Sequence, residues 1–343
     1  MSESTRCHLS VTTTQSMGEF VHILIIRKIQ DFVTILSMNF LFIFLNYFVT
    51  ISAEFRIILT NQYQTTMTKF TTITNAKRIT RLSYLGGIST SAKIMHSQEF
   101  SHQYTYAIYL APAKTSGYNT CKNSTPECRM GCLNTSGRAG IEEFSGLTAI
   151  KCARIAKTRL LFEQQDFFMA WMIAEIKSAR AKAQRDGFYF SVRLNATSDI
   201  DWSKVLYDGK NIYQIFADVN FYDYTKNALK FIDKPSNYHL TLSYTGRNWD
   251  LCKAMLKQGY NVAMVFNVKD ESLLPKTYEG YTVINGDLTD YRIDDAKGII
   301  VGLKWKRIAN RVNEKKVLNS CFVVSPTVNV QTVNVQELQL AVA

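Results

Sequence analysis

Segments that read as strands alternate with segments that read as helices from Tyr104 almost to the end of this chain. YTYAIYLAPA (Tyr104–Ala113), FYFSVRL (Phe188–Leu194), DVNFYDY (Asp218–Tyr224) and NYHLTLSY (Asn237–Tyr244) are rich in aromatic and β-branched residues, as are NVAMVFNV, YTVINGD and GIIVGL further on. Between them the apolar residues change period. A first helical signal covers Leu147–Arg159. Then Leu161, Phe168, Met172, Ile176, Ala179 and Ala183 recur on one face of a long helix that Gly187 ends. Asn248 is expected to cap a shorter helix, with Leu251, Cys252, Met255 and Leu256 on one side and Gly259 at its end. Strands joined through helices lie parallel, with right-handed crossovers. The expected fold is therefore α/β, a parallel (βα) barrel or partial barrel, with strands starting near Tyr104, Phe188, Asp218, Asn237, Asn261 and Tyr281 side by side.

The first strand runs into TSGYNTCKNSTPECRMGCLNTSGRAG, where Cys121, Cys128 and Cys132 make a C-x6-C-x3-C cluster among Gly, Ser, Thr and Asn. A loop of that composition can aim three thiolates at one point, and such clusters hold zinc or iron–sulfur centres. Structural zinc takes four protein ligands, so three cysteines alone point to a [4Fe–4S] cluster with one iron open. Zinc is the alternative if Cys152 or His102 supplies a fourth ligand; free thiols or a disulfide are the remaining one. Cys7, Cys252 and Cys321 are expected to stay apart, the last two as core thiols.

In parallel α/β folds reactive groups collect at the C-terminal ends of the strands. The second strand here ends in Asn195, Thr197, Ser198 and Asp199, the third in Asp223, Thr225 and Lys226, the fourth in Ser243 and Tyr244, the sixth in Asp287 and Asp290. Asp223, Lys226 and Asp287 are the candidate catalytic groups; Asn195, Thr197, Ser198, Asp199 and Ser243 are candidates for holding a cofactor. Short polar residues also follow strands simply to turn the chain or start a helix, and SDIDW is a good helix start. A lone strand histidine such as His239 is more often a hydrogen-bonded core residue than a catalyst. No P-loop, G-x-G-x-x-G, G-x-S-x-G or H-E-x-x-H occurs, which removes the common NTPases, Rossmann dehydrogenases, α/β-hydrolases and zinc proteases.

Charge separates the first 66 residues from the rest. They hold four basic and four acidic residues, so the whole formal charge of +12 belongs to residues 67–343. A unit that basic is suited to polyanions, or merely to solubility. Lys151, Arg154 and Lys157 form one stripe at helical spacing, and Lys304, Lys306, Arg307, Arg311, Lys315 and Lys316 form a second cluster. Each reads as a solvated face or as a phosphate-tracking surface. Upstream, Phe32–Ala53 is an uncharged run long enough to span a bilayer. Met67 begins a credible polar start, and the expectation is that residues 1–66 are an over-extended reading frame, with a single-pass anchor through residues 32–53 as the alternative. Residues 67–325 are expected to form a single α/β domain, and residues 326–343, with a TVNVQ duplication, a flexible tail.

The order and wording of CLNTSGRAG, RLNATSDI, FYDYTK, NYHLTLS, NVAMVF, Leu274–Pro275, VINGDLTD and GIIVGLK resembles the phage gene product 88 family over about Ser83 to Val324. That family is a group of uncharacterised proteins encoded mostly by bacteriophages and prophages, which implies the cytoplasm of a bacterial host. A cysteine loop after the first strand of a (βα) series also resembles, more loosely, the plan of radical S-adenosylmethionine enzymes. That resemblance implies a cluster on Cys121, Cys128 and Cys132, S-adenosylmethionine on its open iron, and Asn195 to Asp199 beside the methionine moiety. Arg193–Asp199 and Tyr224–Lys226 match a strand-end R-L-x-x-x-x-D and a following Y-T-K seen in phage proteins of that style. The usual superfamily spacing is C-x3-C-x2-C, which this chain does not have.

Two functions follow as expectations. One is a phage-type iron–sulfur metalloprotein, radical-SAM-like, acting on a nucleic acid or nucleotide. The other is a zinc-stabilised, non-catalytic nucleic-acid-binding or host-interaction protein.

Overall fold

The computed structural model describes residues 70–136 and 148–326, with Lys28 alone upstream. The chain divides into two units, Met1–Met67 and Thr68–Ala343, and the fold described here is that of the second. The apolar run Phe32–Ala53, most of the first 66 residues and the tail beyond residue 326 lie outside the described residues. Among those described, no helix is long and apolar enough to cross a membrane.

In chain order the helices are α1 (Ile73–Thr80), α2 (Ala92–Ser101), α3 (Pro126–Met130), α4 (Ala149–Glu163), α5 (Gln165–Asp186), α6 (Ile212–Ile215), α7 (Trp249–Lys257) and α8 (Arg311–Leu318). The strands are β1 (Gly86–Gly87), β2 (Gln103–Ile108), β3 (Tyr189–Arg193), β4 (Leu206–Tyr207), β5 (Lys210–Asn211), β6 (Asn220–Thr225), β7 (Tyr238–Ser243), β8 (Asn261–Phe266), β9 (Thr277–Tyr278), β10 (Tyr281–Asn285), β11 (Ile300–Lys304) and β12 (Val323–Val324).

Local sequence explains most of these boundaries. Thr148 caps α4 through its hydroxyl, and Gly187 closes α5 in the left-handed region at φ 77°, where a side chain would be strained. The expected single helix from Leu161 to Ala183 is two. Gln164 leaves helical geometry (φ −144°, ψ 59°), so Leu161 ends one helix and Phe168 begins the buried face of another. Leu161 and Phe168 therefore belong to different helices, and the spacing of seven between them does not describe one continuous helical face. Asn248 precedes α7 but does not cap it. Its side-chain oxygen instead accepts from the amide and hydroxyl of Thr245, both at 2.8 Å.

The main sheet has the order β1-β2-β3-β6-β7-β8-β11-β10-β9, with β12 on β8. Ladders from β2 through β10 are parallel; the edge pairs β1–β2 and β9–β10 are antiparallel. The parallel α/β expectation therefore holds for the central sheet. The order is not simply sequential, since β11 enters between β8 and β10. Among the described residues no ladder joins β1 or β2 to β9 or β10, so no closed barrel is formed. The two ends of the order do meet through other groups. On α2, His96 Nδ1 lies 2.8 Å from Leu288 O, and Ser97 accepts from the amide of Asp290 at 2.6 Å.

Alternation gives the sheet two unlike faces. Tyr106, Ile108, Val192, Phe221, Leu242, Val262 and Met264 are buried on one side, where Phe168, Trp171, Met172 and Ile176 of α5 join the same core. Each fully buried side chain of this size contributes about 1.5–3 kcal/mol. The intervening residues, Thr105, Ser191, Arg193, Tyr222, Tyr224, His239 and Thr241, share the other face in register. Thr105 bonds Ser191 at 3.0 Å and takes the Tyr222 hydroxyl at 3.2 Å. That face is polar, and it continues to the C-terminal edge of the strands.

Candidate functional site

The cysteine loop lies over that edge. Thr120 is fixed first: its carbonyl accepts from the amide of Asp199 at 2.8 Å, and its hydroxyl donates to Ala111 O at 2.7 Å. Cys121 follows, with Sγ 3.9 Å from the carbonyl of Thr197. Pro126 and the Thr125 cap then start the single turn α3, which carries Cys128. Gly131 ends it against Trp305, where an added Cβ would stand 2.9 Å from the indole. Cys132 comes next, and Arg247 pins the turn through Glu127 at 3.0 Å. The expected loop thus holds a short helix, seated on Trp305, Val317, Phe322 and Val323.

Cys132 lies within electrostatic reach of the other two sulfurs and of Lys226. Burial pushes the Cys132 thiol up to about 11, and the charges of Cys128 and Cys121 push the same way. Burial works against the Lys226 ammonium, but Cys128, Asp199, a hydrogen bond to Cys128 and Cys121 hold it above the usual lysine range. Arg154 of α4 reaches the same place, bonding Asn134 Oδ1 at 2.5 Å and sensing Cys132. In this arrangement no group of three or more His, Cys, Asp and Glu side chains among the described residues is set to hold a metal ion. The donor set is nevertheless one in kind: three half-buried thiols, none in a disulfide, around an ammonium.

The other expected residues fall into four places. Asn195, Thr197, Ser198, Asp199 and Lys226 lie beside the cysteines and hold the edge together. Asn195 Oδ1 accepts from Ser198 Oγ (2.9 Å), Ile200 N (2.9 Å) and Trp202 Nε1 (3.2 Å), while its Nδ2 donates to Ile200 O. Thr197 donates to Leu110 O at 2.6 Å. Asp199 accepts from Thr225 Oγ1, Lys226 N and Lys230 Nζ at 2.8, 2.9 and 2.6 Å, so it braces strand ends and does not start a helix. Asp223 faces the helix side, accepting from Asn195 N at 2.8 Å and Tyr238 OH at 3.1 Å. Burial raises its carboxyl to about 6 against the pull of Arg193. Ser243 ends β7, where its carbonyl takes Asn248 Nδ2 at 3.3 Å. Asp287 belongs to a second polar cluster, with Lys304 N at 2.7 Å and Lys306 at 3.4 Å.

Because Asn195 serves fully buried Trp202, Asn195→Ala should destabilise the fold by about 2–3 kcal/mol, the loss of several bonds with one indole N–H left unpaired. Urea denaturation checks this; a change within about 0.5 kcal/mol would show that these bonds are replaced by water.

The second cluster occupies the polar face. Arg193 on β3 pairs with Asp290 and lies 5.0 Å over the Tyr224 ring. Lys93 of α2 stands 3.6 Å from Asp290 and 3.8 Å from Asp287, and burial lowers its pKa to about 8 despite both carboxylates. Arg292 and Asp295 complete the group. Tyr109 connects the two clusters: Arg154 lies 5.3 Å over its ring, while its hydroxyl senses Arg193 and Asp290. His239 is on the same face, beside Tyr222, and burial lowers its pKa.

Several expectations are corrected. His102 cannot be a fourth metal ligand, because it precedes β2 and stacks on Phe188 at 4.1 Å, a strand's length from the cysteines. Lys151, Arg154 and Lys157 are not a solvated stripe: Lys151 and Lys157 are buried, and Lys157 lies 4.3 Å over the Tyr84 ring. Cys252 is a core thiol as expected, but Cys321 is exposed. Arg193 and Lys93 were missed as site residues. An arginine in the apolar strand FYFSVRL was the available signal; nothing local marks Lys93.

A family model described as Gene product 88 matches residues 67–319. No significant match was found among curated proteins or solved structures.

Proposed function

The chain belongs to the gene product 88 family, and from that premise we propose that it is a metalloprotein whose Cys121, Cys128 and Cys132 hold an iron–sulfur cluster with one iron open to a small molecule. The observation that carries this reading is the gathering of three thiols from one crossover loop around Lys226, at the C-terminal edge of a parallel sheet. When bound, such a cluster supplies electron transfer and an open coordination position. Lys226 and Arg154 offset the charge of three thiolates, and the Cys132 proton must leave as metal enters, which makes loading pH-dependent. The finer reading, a partial (βα) barrel using S-adenosylmethionine, is part of the proposal. The side chains of Asn195, Thr197 and Asp199 are bonded to the protein, so recognition of that molecule would rest on the polar face.

The second reading is a zinc-stabilised nucleic-acid-binding protein. It retains the exposed Arg307, Lys315 and Lys316 near α8 but loses the α4 stripe. Full-length protein purified without oxygen separates the two by iron, sulfide and zinc content. Each of Cys121→Ala, Cys128→Ala and Cys132→Ala should abolish iron and its visible absorption, whereas Cys152→Ala should leave both. Stoichiometric zinc in colourless protein, lost equally with Cys152→Ala, means a closed four-ligand structural centre and ends the open-cluster proposal.

A further inference from the structure

We propose that the polar face between Arg193, Arg292 and Tyr224 is a binding site for an oxyanion, the phosphate or carboxylate group of a small molecule. Arg193 commits Nη1 to Asp290, yet its Nε is buried and has no hydrogen-bond acceptor. Arg292, only 5% exposed, donates Nη2 to Thr289 O at 2.6 Å. Its Nη1 forms an ion pair with Asp295 Oδ2 at 3.1 Å, while its Nε is buried without a hydrogen-bond partner. The Tyr224 hydroxyl is likewise buried without a partner. These groups adjoin one another: Arg193 lies 5.0 Å over the Tyr224 ring and pairs with Asp290, and Arg292 is anchored on Thr289, the residue before Asp290.

A buried donor left without an acceptor costs about 1–3 kcal/mol, and several around one place are not expected of a protein face that binds nothing. The chemistry of the missing acceptor follows from the donors. Guanidinium Nε–H groups and a phenol hydroxyl are donors suited to the oxygens of a carboxylate or phosphate. Lys93, Arg193, Arg292 and Lys306 stand among Asp287, Asp290 and Asp295 in ion pairs, with Asp294 beside Asp295; the orphaned donors, and not an excess of charge, point to an anion. Lys93 and Lys306 are 23% and 45% exposed at the side chain, so the rim of the cluster meets solvent above the buried donors. The site needs no metal and stands apart from the iron–sulfur proposal.

Calorimetric titration of full-length protein with sodium phosphate, sodium acetate and sodium chloride at fixed ionic strength tests it. Saturable binding of phosphate, acetate or both, without chloride binding, is expected; which of the two binds identifies the ligand group. Arg292→Lys and Tyr224→Phe should each weaken it by at least about tenfold, with unchanged far-UV circular dichroism. If Arg292→Lys does not fold, Tyr224→Phe decides, because it keeps the buried ring. Cys121→Ser should leave anion binding intact even if it removes metal, so the two proposals fail separately. No anion binding at millimolar concentration, or binding that survives Tyr224→Phe at full strength, overturns the assignment.

Discussion

Asp290→Ala should lower the free energy of unfolding by about 3–5 kcal/mol, the range for removing one partner of a buried ion pair. Asp290 is 3% exposed and Arg193 9% exposed. The arginine crosses from β3 to the far end of the strand order to reach it, and Lys93 approaches from α2 at 3.6 Å. Without the carboxylate, Arg193 is a buried charge over the Tyr224 ring with no ion-pair partner among the described residues. Replacing both partners, Arg193→Met with Asp290→Leu, should recover much of the loss, because the uncompensated charge then goes too. Acid should imitate the single variant. Burial raises the Asp290 carboxyl, but Arg193, Lys93 and the hydrogen bond from Arg193 more than reverse this and leave it at about 2. Its folded value thus lies below its unfolded one. Its contribution is complete above roughly pH 4 and is lost as pH falls toward 2. Asp223 has the opposite sign: held up at about 6, it favours the fold most below roughly pH 4, and that contribution fades as pH rises through 6. Urea titrations of wild type and Asp290→Ala from acid to neutral pH should therefore converge at the acid end. Curves separated by a constant amount down to about pH 2 would mean that Asp290 acts through shape and not charge.

Residues that obey a period were readable in the sequence; residues that act across the sheet were not. Phe168, Met172 and Ile176 revealed α5 because a helix face repeats, and the aromatic strands revealed β2, β3, β6 and β7 because a pleat repeats. The insertion of β11 between β8 and β10 has no such local sign. It depends on Gly302, whose Cβ would lie 2.7 Å from Val283 and 3.2 Å from Ile284 O, so only glycine allows that closeness to β10. The cysteines announced themselves by composition, and Cys121 lies at the C-terminal edge beside Thr197. The polar residues around them misled for a physical reason. Strand ends in a parallel sheet must satisfy loose backbone groups, and Asn195 and Asp199 do that work with their side chains. The charged pair with the greatest reach, Arg193 with Asp290, is separated by 97 residues, and no spacing rule connects positions so distant.

Glu175→Ala should be comparably damaging, at about 3–5 kcal/mol, and its effect should begin locally. Glu175 projects from α5, 8% exposed, and accepts from Leu85 N at 3.1 Å, Gly86 N at 3.0 Å and Tyr106 OH at 2.6 Å. It therefore fastens β1 to the sheet. Gly86 fits there only because it lacks a side chain: an added Cβ would be 2.7 Å from Ala107 O and from Ile108. With so close an approach, water cannot readily reach the two amides once the carboxylate is gone, so they and the tyrosine hydroxyl stay unpaired. Lys157 suffers as well. Burial already lowers its pKa to about 8, and Glu175 is the group that opposes this, so without it the ammonium should lose its proton nearer neutrality. Glu175→Gln keeps the shape and one acceptor oxygen, and should cost less, about 1–3 kcal/mol. Hydrogen exchange separates local from global loss: the amides of Leu85 and Gly86 should lose protection before those of β3 and β6. Unchanged exchange at both amides in Glu175→Ala would show that the antiparallel pairing with β2 holds β1 unaided, and the carboxylate would then be a passenger of the core.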